Sequence, residues 1–297
     1  MMKNTTGRDG RSAGRKKRRK HSFFRTLRFL LLAGFLLLGY ARFIAPYWLT
    51  VSEEEYQEPL LTISQEQSGG LTIAVFSDTH FSEYYTPRHF ENVIEKINAA
   101  APDLVFFLGD LVDNLSTYDG DLAAIEDSLS RIQAGIGKYA VYGNHDYGGE
   151  MEFVYPDLME AGGFQLLVNE METLESLNVC ILGIDDVSIG YGDPASAALL
   201  DPEKCNIVLC HEPDIIDSMA DFPIDCMFAG HTHGRQINLK MFDSFILPAY
   251  GKKYIRGTFE IDNSRKTRLY VTSGIGMTKL PLRLGSAPEI SITALYP

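Results

Sequence analysis

Short apolar runs that each end in an aspartate recur along this chain and constrain how it can fold. The runs LTIAVFSD (71–78) and DLVFFLGD (103–110) are rich in β-branched and aromatic residues. Between them, residues 87–100 place apolar side chains at helical spacing behind a proline suited to a first helical turn. A strand, a helix and a second strand in this order predict a β-α-β unit with parallel neighbouring strands.

The same alternation continues towards the C-terminus. A second helical pattern spans residues 120–134, and the last forty residues carry strand patterns without helices between them. Further strand-like runs occupy residues 138–146, 178–184, 206–210 and 226–229. A chain of 297 residues allows one large domain with an appendage. We therefore predict a single α/β domain over residues 71–297.

The first fifty residues differ in charge and hydropathy from the remainder. They carry 12 Lys and Arg against one Asp, whereas residues 51–297 carry 15 against 38. Residues 29–49 contain one charged side chain, Arg42, and at about 1.5 Å per residue this segment just spans a hydrocarbon core of about 30 Å. The sequence predicts a basic cytoplasmic tail (1–28), a transmembrane signal-anchor helix (29–49) and a polar linker (50–70).

The membrane orientation follows from the basic tail. By the positive-inside rule the tail stays in the cytoplasm, which predicts a single-pass protein of the cell membrane with an extracytoplasmic domain. An alternative stays open, because the uninterrupted apolar run 29–41 has the length of a signal-peptide core and Gly39-Tyr40-Ala41 resembles a cleavage site. In that case the domain is exported after signal cleavage.

Five polar blocks follow the predicted strands. They read SDTH (77–80), GDLVD (109–113), GNHD (143–146), CHEP (210–213) and GHTH (230–233). An aspartate after a strand is often a helix cap, but five blocks of one ligand chemistry at successive strand ends favour a shared site. Imidazole with carboxylate and amide oxygen suits Zn, Mn, Fe or Mg, and the number of candidate ligands suits two divalent ions.

The order and content of these blocks resemble the calcineurin-like metallophosphoesterases. The segments LPAYGKKYIRGTFE (247–260) and LYVTSGIG (269–276) further resemble the membrane-associated or exported branch of that family. The resemblance implies a four-layer α/β/β/α sandwich, here preceded by a transmembrane helix. It also implies a dinuclear metal centre that hydrolyses a phosphodiester or phosphomonoester by attack of a metal-bound hydroxide.

The resemblance assigns roles to individual residues. It places Asp78, His80, Asp110 and His233 at a first metal ion, and Asp110, Asn144, His211 and His231 at a second, with Asp110 bridging. His145 is then expected to protonate the leaving oxygen, with Asp113 as its orienting partner. The sequence departs from the branch at Arg235, where a glycine is usual. The guanidinium either faces solvent or grips the phosphate of the substrate.

The expected substrate is a small phosphoester or a lipid-linked phosphate. Long nucleic acid is not expected as a partner, because residues 51–297 carry a net charge of −23. One alternative is a pyrophosphatase of the UDP-2,3-diacylglucosamine type in the lipid A pathway, which needs a nucleotide lipid made in the cytoplasm. A second is a non-catalytic, membrane-anchored metal-binding scaffold, in which Asp113 and His145 would have no purpose. The sequence leaves the oligomeric state open.

Overall fold

The computed structural model describes residues 9–63, 69–238 and 247–297. The α-helices in these ranges are α1 (Asp9–Phe43), α2 (Pro87–Ala99), α3 (Leu122–Ser130) and α4 (Tyr155–Ala161). The strands are β1 (Thr50–Gln57), β2 (Leu71–Phe76), β3 (Leu104–Phe107), β4 (Gly137–Ala140), β5 (Gln165–Leu166), β6 (Glu170–Leu174), β7 (Val179–Gly183), β8 (Cys205–Leu209), β9 (Cys226–Ala229), β10 (Gly257–Glu260), β11 (Arg268–Val271) and β12 (Glu289–Tyr296).

The first sheet has the strand order β1-β12-β2-β3-β4-β5. Strands β2 and β3 are parallel neighbours joined through α2, which confirms the predicted β-α-β unit. Helix α2 is amphipathic, and it buries Phe90, Val93, Ile94 and Ile97 against the sheet. Helices α3 and α4 complete the layer over this outer face through residues such as Leu129.

The second sheet has the order β10-β11-β9-β8-β7-β6 and packs face to face on the first. Their shared core contains Phe106 from β3 and Phe228 from β9, whose ring centroids are 5.8 Å apart. The outer face of the second sheet is covered by the 3-10 helices Pro194–Leu199 and Pro213–Ser218. The predicted sandwich is confirmed, with 3-10 turns forming this fourth layer.

The parallel strands of both sheets end at one edge of the sandwich. In the first sheet β2, β3 and β4 run parallel, and in the second β7, β8 and β9 do so. The backbone N–H of His231, which follows β9, donates to the carboxylate of Asp78, which follows β2, at 3.2 Å. The polar blocks of the two sheets therefore meet across the sandwich.

The predicted linker over 50–70 is wrong for its first part. Residues 50–57 form β1, which pairs in parallel with β12 from Thr50 opposite Glu289 to Gln57 opposite Tyr296. The sequence VSEEEYQ has no apolar pattern that indicates a strand. An edge strand pairs through backbone hydrogen bonds, and its side chains here remain largely exposed. Residues 64–68 of that linker, 1–8 of the predicted tail and 239–246 of the predicted domain lie outside the described residues.

Helix α1 carries the predicted apolar segment. The stretch Phe23–Tyr47 has a mean hydropathy of 1.8, and by length and composition it suffices to cross a membrane. The helix ends at Phe43, earlier than the predicted boundary at 49, and the 3-10 turn Ala45–Tyr47 follows. Ala41 and Ala45 are buried against the rest of the chain, so the end of α1 packs on the domain.

Candidate metal centre

The loops after five strands bring the predicted ligands and the predicted acid His145 together. The residues are Asp78 and His80 after β2, Asp110 after β3, Asn144 and His145 after β4, His211 after β8, and His231 and His233 after β9. All the aspartates and histidines in this set are buried except His145, which is half-buried like Asn144. Each short strand is held in its sheet by hydrogen bonds to its neighbours, so the residues that follow it have a fixed position.

The first group consists of Asp78, His80 and His233. Their ligand atoms lie within 4.8 Å of one another. Nε2 of His80 lies 3.1 Å from Nε2 of His233, which in turn lies 3.4 Å from Oδ1 of Asp78. Two imidazole nitrogens bound to one tetrahedral ion at 2.0–2.1 Å stand about 3.3 Å apart. The donor set and its spacing therefore fit a divalent cation.

The second group centres on Asp110 and His211. The Nδ1–H of His211 donates to the carbonyl oxygen of Leu108 at 2.6 Å, which leaves Nε2 as the ligand atom. That Nε2 is buried without a hydrogen-bond partner of acceptable geometry, although Oδ2 of Asp110 lies 3.2 Å away. An orphaned imidazole nitrogen facing carboxylates again fits a cation rather than a packed core.

A single oxygen of Asp110 lies between the two groups. Oδ2 is 3.4 Å from Nε2 of His80 and 3.2 Å from Nε2 of His211. Oδ1 is engaged elsewhere, because it accepts the backbone N–H of His145 at 2.8 Å. Oδ2 of Asp110 is therefore the carboxylate oxygen that would help to hold a cation with either group.

His231 and Asn144 complete the predicted second group. Nε2 of His231 donates to the carbonyl oxygen of Ala249 at 2.8 Å, which leaves Nδ1 as the ligand atom. Burial and the neighbouring His211 lower the pKa of His231 to about 4, so its ring is neutral and available to a metal. Its ring centroid lies 4.8 Å from that of His211, and both His231 and Asn144 line the cleft.

Asp113 orients two histidines in different ways. Its backbone carbonyl oxygen accepts the Nδ1–H of His145 at 2.5 Å, while its carboxylate oxygen Oδ1 is 3.7 Å from that nitrogen. The same Oδ1 lies closer, at 3.1 Å, to Nδ1 of His80. The carboxylate therefore faces a predicted metal ligand, and the backbone of Asp113 holds His145 with Nε2 as its remaining ring nitrogen.

The charged groups of the cluster shift one another's pKa values. Burial opposes protonation of His80, but the carboxylates of Asp110 and Asp113 raise its pKa to about 9. Burial likewise opposes protonation of His211, and Asp110 raises its pKa well above the ordinary value. Burial alone would raise the pKa of Asp110, yet the neighbouring His211 and His145 hold it well below the usual range. A cation that binds here must displace protons from histidine, so metal affinity should rise with pH.

Asp146 is a buried residue to which the sequence assigned no role. Its Oδ2 accepts the backbone N–H groups of Asp110 at 2.7 Å and Gly143 at 2.8 Å, and its Oδ1 accepts that of Leu111 at 2.8 Å. Burial and the charge of Asp110 raise the pKa of Asp146 to about 7. The one available signal was its place at the end of the GNHD block. Asp146 ties the loop after β3 to the loop after β4.

Backbone strain concentrates at the candidate ligands. Positive φ angles occur at Asp78 (54°), His80 (40°), Asp110 (61°), His231 (70°) and His233 (49°). Residues other than glycine seldom adopt this left-handed region, and such strain clusters at functional sites. Glycines provide the space around them, since a Cβ at Gly143 would collide with Oδ1 of Asp110 and a Cβ at Gly230 with Oγ of Ser77. Backbone and side chains are therefore packed closely around the cluster.

The cleft over the cluster has a volume of about 310 Å³. Its polar floor includes Asp110 and His145, and its wall includes Ile237, Pro248 and Leu280. The side chain of Arg235 is half-buried, and its backbone has the left-handed conformation with a φ of 58°. Within the described ranges, the cation that lines the cleft is Lys279 and not Arg235.

Known proteins share this sequence pattern. The sequence profile of the calcineurin-like phosphoesterase family matches residues 71–235. The chain belongs to this family. It is 36% identical over 288 residues to the uncharacterized metallophosphoesterase YkuE of Bacillus subtilis, covering 94% of this chain and 98% of that protein. The chain is therefore a hydrolase that acts on phosphoester bonds.

Two other members of the family carry more specific names. The chain is 26% identical over 261 residues to the phosphodiesterase YaeI of Escherichia coli, covering 86% of this chain and 92% of that protein. It is also 26% identical over 277 residues to the UDP-2,3-diacylglucosamine pyrophosphatase LpxG of Chlamydia muridarum, covering 75% of this chain and 83% of that protein. The family has metal-dependent members of differing specificity, so the substrate of this chain must be argued from its own residues.

Proposed function

We propose that this chain hydrolyses a phosphodiester or phosphomonoester at a pair of divalent cations. The observation that carries this is the position of Asp110, whose Oδ2 lies within 3.4 Å of one histidine nitrogen from each ligand group. The residues that would hold the ions are Asp78, His80, Asp110 and His233 for the first, and Asp110, Asn144, His211 and His231 for the second. The nitrogen and oxygen donors suit Mn, Zn, Fe or Mg.

The bound cations would supply Lewis-acid activation of water and of the phosphoryl group. The protein contributes the charge balance around them. Apart from Asp110, the second group consists of the neutral ligands Asn144, His211 and His231, which leaves positive charge at that position to attract a phosphate oxygen. The first group adds the buried carboxylate of Asp78, whose Oδ1 lies 3.4 Å from Nε2 of His233 and 3.8 Å from Nε2 of His211.

His145 supports a proton transfer to the leaving oxygen. The carbonyl oxygen of Asp113 accepts the proton on Nδ1 of His145, so the ring exchanges its other proton through Nε2 at the cleft. The backbone N–H of His145 is itself bound to Oδ1 of Asp110, which couples the position of the acid to the ligand cluster. Lys279 on the cleft wall and Arg235 beside it are the cations proposed to contact substrate phosphate.

The N-terminal helix supports attachment to a membrane. We place the basic tail in the cytoplasm and the catalytic domain outside it, as a single-pass protein, with export after cleavage as the alternative. If a reporter that functions only in the cytoplasm is fused after Pro297 and proves active, this orientation is overturned.

A nucleotide-lipid pyrophosphatase is the second candidate function. It is supported by the apolar cleft wall of Ile237, Pro248 and Leu280, which could accept an acyl chain, and by the relative that carries such a name. The proposed orientation opposes it, because a UDP-linked lipid is made in the cytoplasm. A non-catalytic scaffold is opposed by His145, which is oriented in the cleft although it lies outside the predicted ligand set.

A substrate panel distinguishes these functions. The full chain in detergent would be assayed with Mn²⁺, Zn²⁺ or Mg²⁺ on bis-p-nitrophenyl phosphate, p-nitrophenyl phosphate and UDP-2,3-diacylglucosamine. Turnover of the simple esters without the nucleotide lipid supports the proposed function. Preferred cleavage of the nucleotide lipid would support the second candidate function. A protein that binds stoichiometric metal but turns over none of the substrates would support the non-catalytic scaffold.

A further inference from the structure

We infer, building on the phosphoesterase function and membrane anchor proposed above, that the substrate is an amphiphilic phosphoester in the same membrane as helix α1. Its phosphoryl group would reach the ligand cluster while its alkyl chain passes along the apolar wall of the cleft. Three features of the structure point to this substrate class: the attachment of the anchor, the position of Arg283 and the composition of the cleft wall.

The anchor helix is fixed to the domain rather than tethered to it. The backbone N–H of Arg283 donates to the carbonyl oxygen of Ala41, in the last turns of α1, at 2.9 Å. Immediately after the helix, the hydroxyl of Tyr47 donates to the carbonyl oxygen of Tyr84 at 2.9 Å. The chain then enters β1 at Thr50, so no flexible spacer separates the helix from the sheet.

Arg283 joins the end of the anchor to the metal cluster. Its side chain is fully buried, and Nη2 lies 3.4 Å from Nδ1 of the ligand His233. The guanidinium also donates to the carbonyl oxygens of Ser273 and Gly276 at distances down to 2.6 Å. One residue therefore contacts the anchor through its backbone and a ligand through its side chain, which sets the cleft at a fixed distance from the helix.

One residue of the apolar wall of the cleft, Leu280, lies on the same segment as Arg283. Leu280 lines the cleft and is 53% exposed, and it precedes Arg283 by three residues, which span at most about 11 Å. Ile237 and Pro248 extend this wall. A small hydrophilic ester would leave these side chains in water, whereas an alkyl chain would cover them and remove apolar surface from water.

The polar and interfacial residues around this wall fit a lipid headgroup. Lys279 lies next to Leu280 and lines the same cleft, where its charge complements a phosphate. At the end of the anchor, Phe43 and Trp48 are largely exposed, as expected for side chains at a membrane interface. The cleft thus combines a cationic rim, an apolar wall and a short fixed link to the bilayer.

Two esters with the same leaving group test the substrate class. Methyl p-nitrophenyl phosphate is soluble, whereas hexadecyl p-nitrophenyl phosphate partitions into vesicles. In both, water adds to phosphorus and the bond to the nitrophenyl oxygen breaks, which releases p-nitrophenolate and an alkyl phosphate. The full chain in vesicles of a galactolipid, which contains no phosphate, should hydrolyse the hexadecyl ester at least about tenfold faster at equal total concentration, with a rate set by its mole fraction in the bilayer.

Failure of the inference can be distinguished from failure of the proposed function. Equal rates for the two esters would contradict a membrane substrate but would leave the proposed phosphoesterase function intact. The same conclusion would follow if the enzyme cleaved the hexadecyl ester equally fast whether the ester was in the enzyme's own vesicles or in separate ones. Absence of turnover with either ester in the metal-loaded protein would contradict both.

A pair of leucine variants tests the wall directly. Leu280→Asp should lower the ratio of hexadecyl to methyl turnover about tenfold, because a charge replaces apolar contact. Leu199 has a similar exposure of 52% but lies outside the cleft, so Leu199→Asp should leave that ratio unchanged. An unchanged ratio in Leu280→Asp would exclude this wall from substrate binding.

Discussion

Oδ2 of Asp146 accepts the backbone N–H of Asp110 at 2.7 Å. The same carboxylate accepts the N–H groups of Leu111 and Gly143, so one buried side chain fixes two ligand-bearing loops. Asp110 is the candidate bridging residue, and it is itself held in a strained backbone conformation with a φ of 61°. The geometry of the metal cluster therefore depends on a residue that contributes no ligand atom to it.

Replacement of Asp146 should loosen both loops. Asp146→Ala leaves three buried N–H groups without an acceptor, and each such loss costs about 1–3 kcal/mol. We expect a lower melting temperature and the loss of at least one metal ion per chain, measured by thermal unfolding and elemental analysis. Asp262→Ala removes a side chain that is 98% exposed and should change neither. A variant Asp146→Ala with normal melting and two bound ions would contradict the role of this residue.

Replacement of His145 should affect chemistry and not metal binding. His145→Ala should retain both ions, and its kcat should fall by a factor of about 10² to 10⁴, because the substitution removes the proton donor. The loss should be greatest for a basic leaving group such as an alkoxide, which needs a proton more than p-nitrophenolate does. The measurement is kcat for alkyl and p-nitrophenyl leaving groups, with the exposed His89→Ala on α2 as control. An equal loss for both leaving groups would count against general acid catalysis.

The sequence predicted the fold class, and the edge of the sandwich at which the polar blocks meet, for a physical reason. Apolar runs such as LTIAVFSD identify buried strands, and residues directly after parallel strands must meet at one edge. The edge strand β1 escaped prediction because its pairing with β12 is made by backbone groups that every residue carries. The periodicity of apolar residues in the sequence therefore predicts which strands are buried better than it predicts which strands pair through hydrogen bonds.

Finer features of the site could not be predicted from residue types. The family resemblance implied Asp113 as a partner of His145, but it could not show that the backbone carbonyl oxygen makes this contact while the carboxylate faces His80. It also could not show that Asp146 accepts three N–H groups, or that five candidate ligands have positive φ angles. Each depends on tertiary packing that residue type and spacing do not encode.

Arg235 remains a predicted phosphate contact. Arg235→Ala should raise KM for bis-p-nitrophenyl phosphate several-fold and leave kcat near that of the wild type, because a lost charge-assisted hydrogen bond weakens ground-state binding. Lys279→Ala is the matched comparison, since Lys279 lines the cleft. If KM changes only in Lys279→Ala, Arg235 is not part of the substrate site.

Glu58 should make stability depend on pH far from the metal cluster. It is buried beside Cys226, and burial together with the charge of Asp225 raises its pKa from 4.5 to about 7. Below pH 4.5 the carboxyl is protonated in both states. As pH rises towards 7, the unfolded chain ionises first, so the free energy of unfolding falls by on the order of 2 kcal/mol.

The Glu58→Gln variant removes this titration. Its free energy of unfolding should fall less between pH 5 and pH 8 than that of the wild type, as measured by denaturant unfolding at each pH. Glu55→Gln, on the exposed side of β1, should keep the wild-type slope. Parallel pH profiles for Glu58→Gln and the wild type would show that Glu58 ionises normally in the folded protein.

The most direct test of the central claim is a metal titration of activity. Metal-free full-length protein would be reloaded stepwise with Mn²⁺ while hydrolysis of bis-p-nitrophenyl phosphate is followed, for the wild type and for Asp110→Asn. We predict that wild-type turnover saturates at two equivalents per chain and that Asp110→Asn binds fewer ions and remains inactive. Full turnover at one equivalent, or wild-type activity in Asp110→Asn, would contradict a dinuclear centre joined by Asp110.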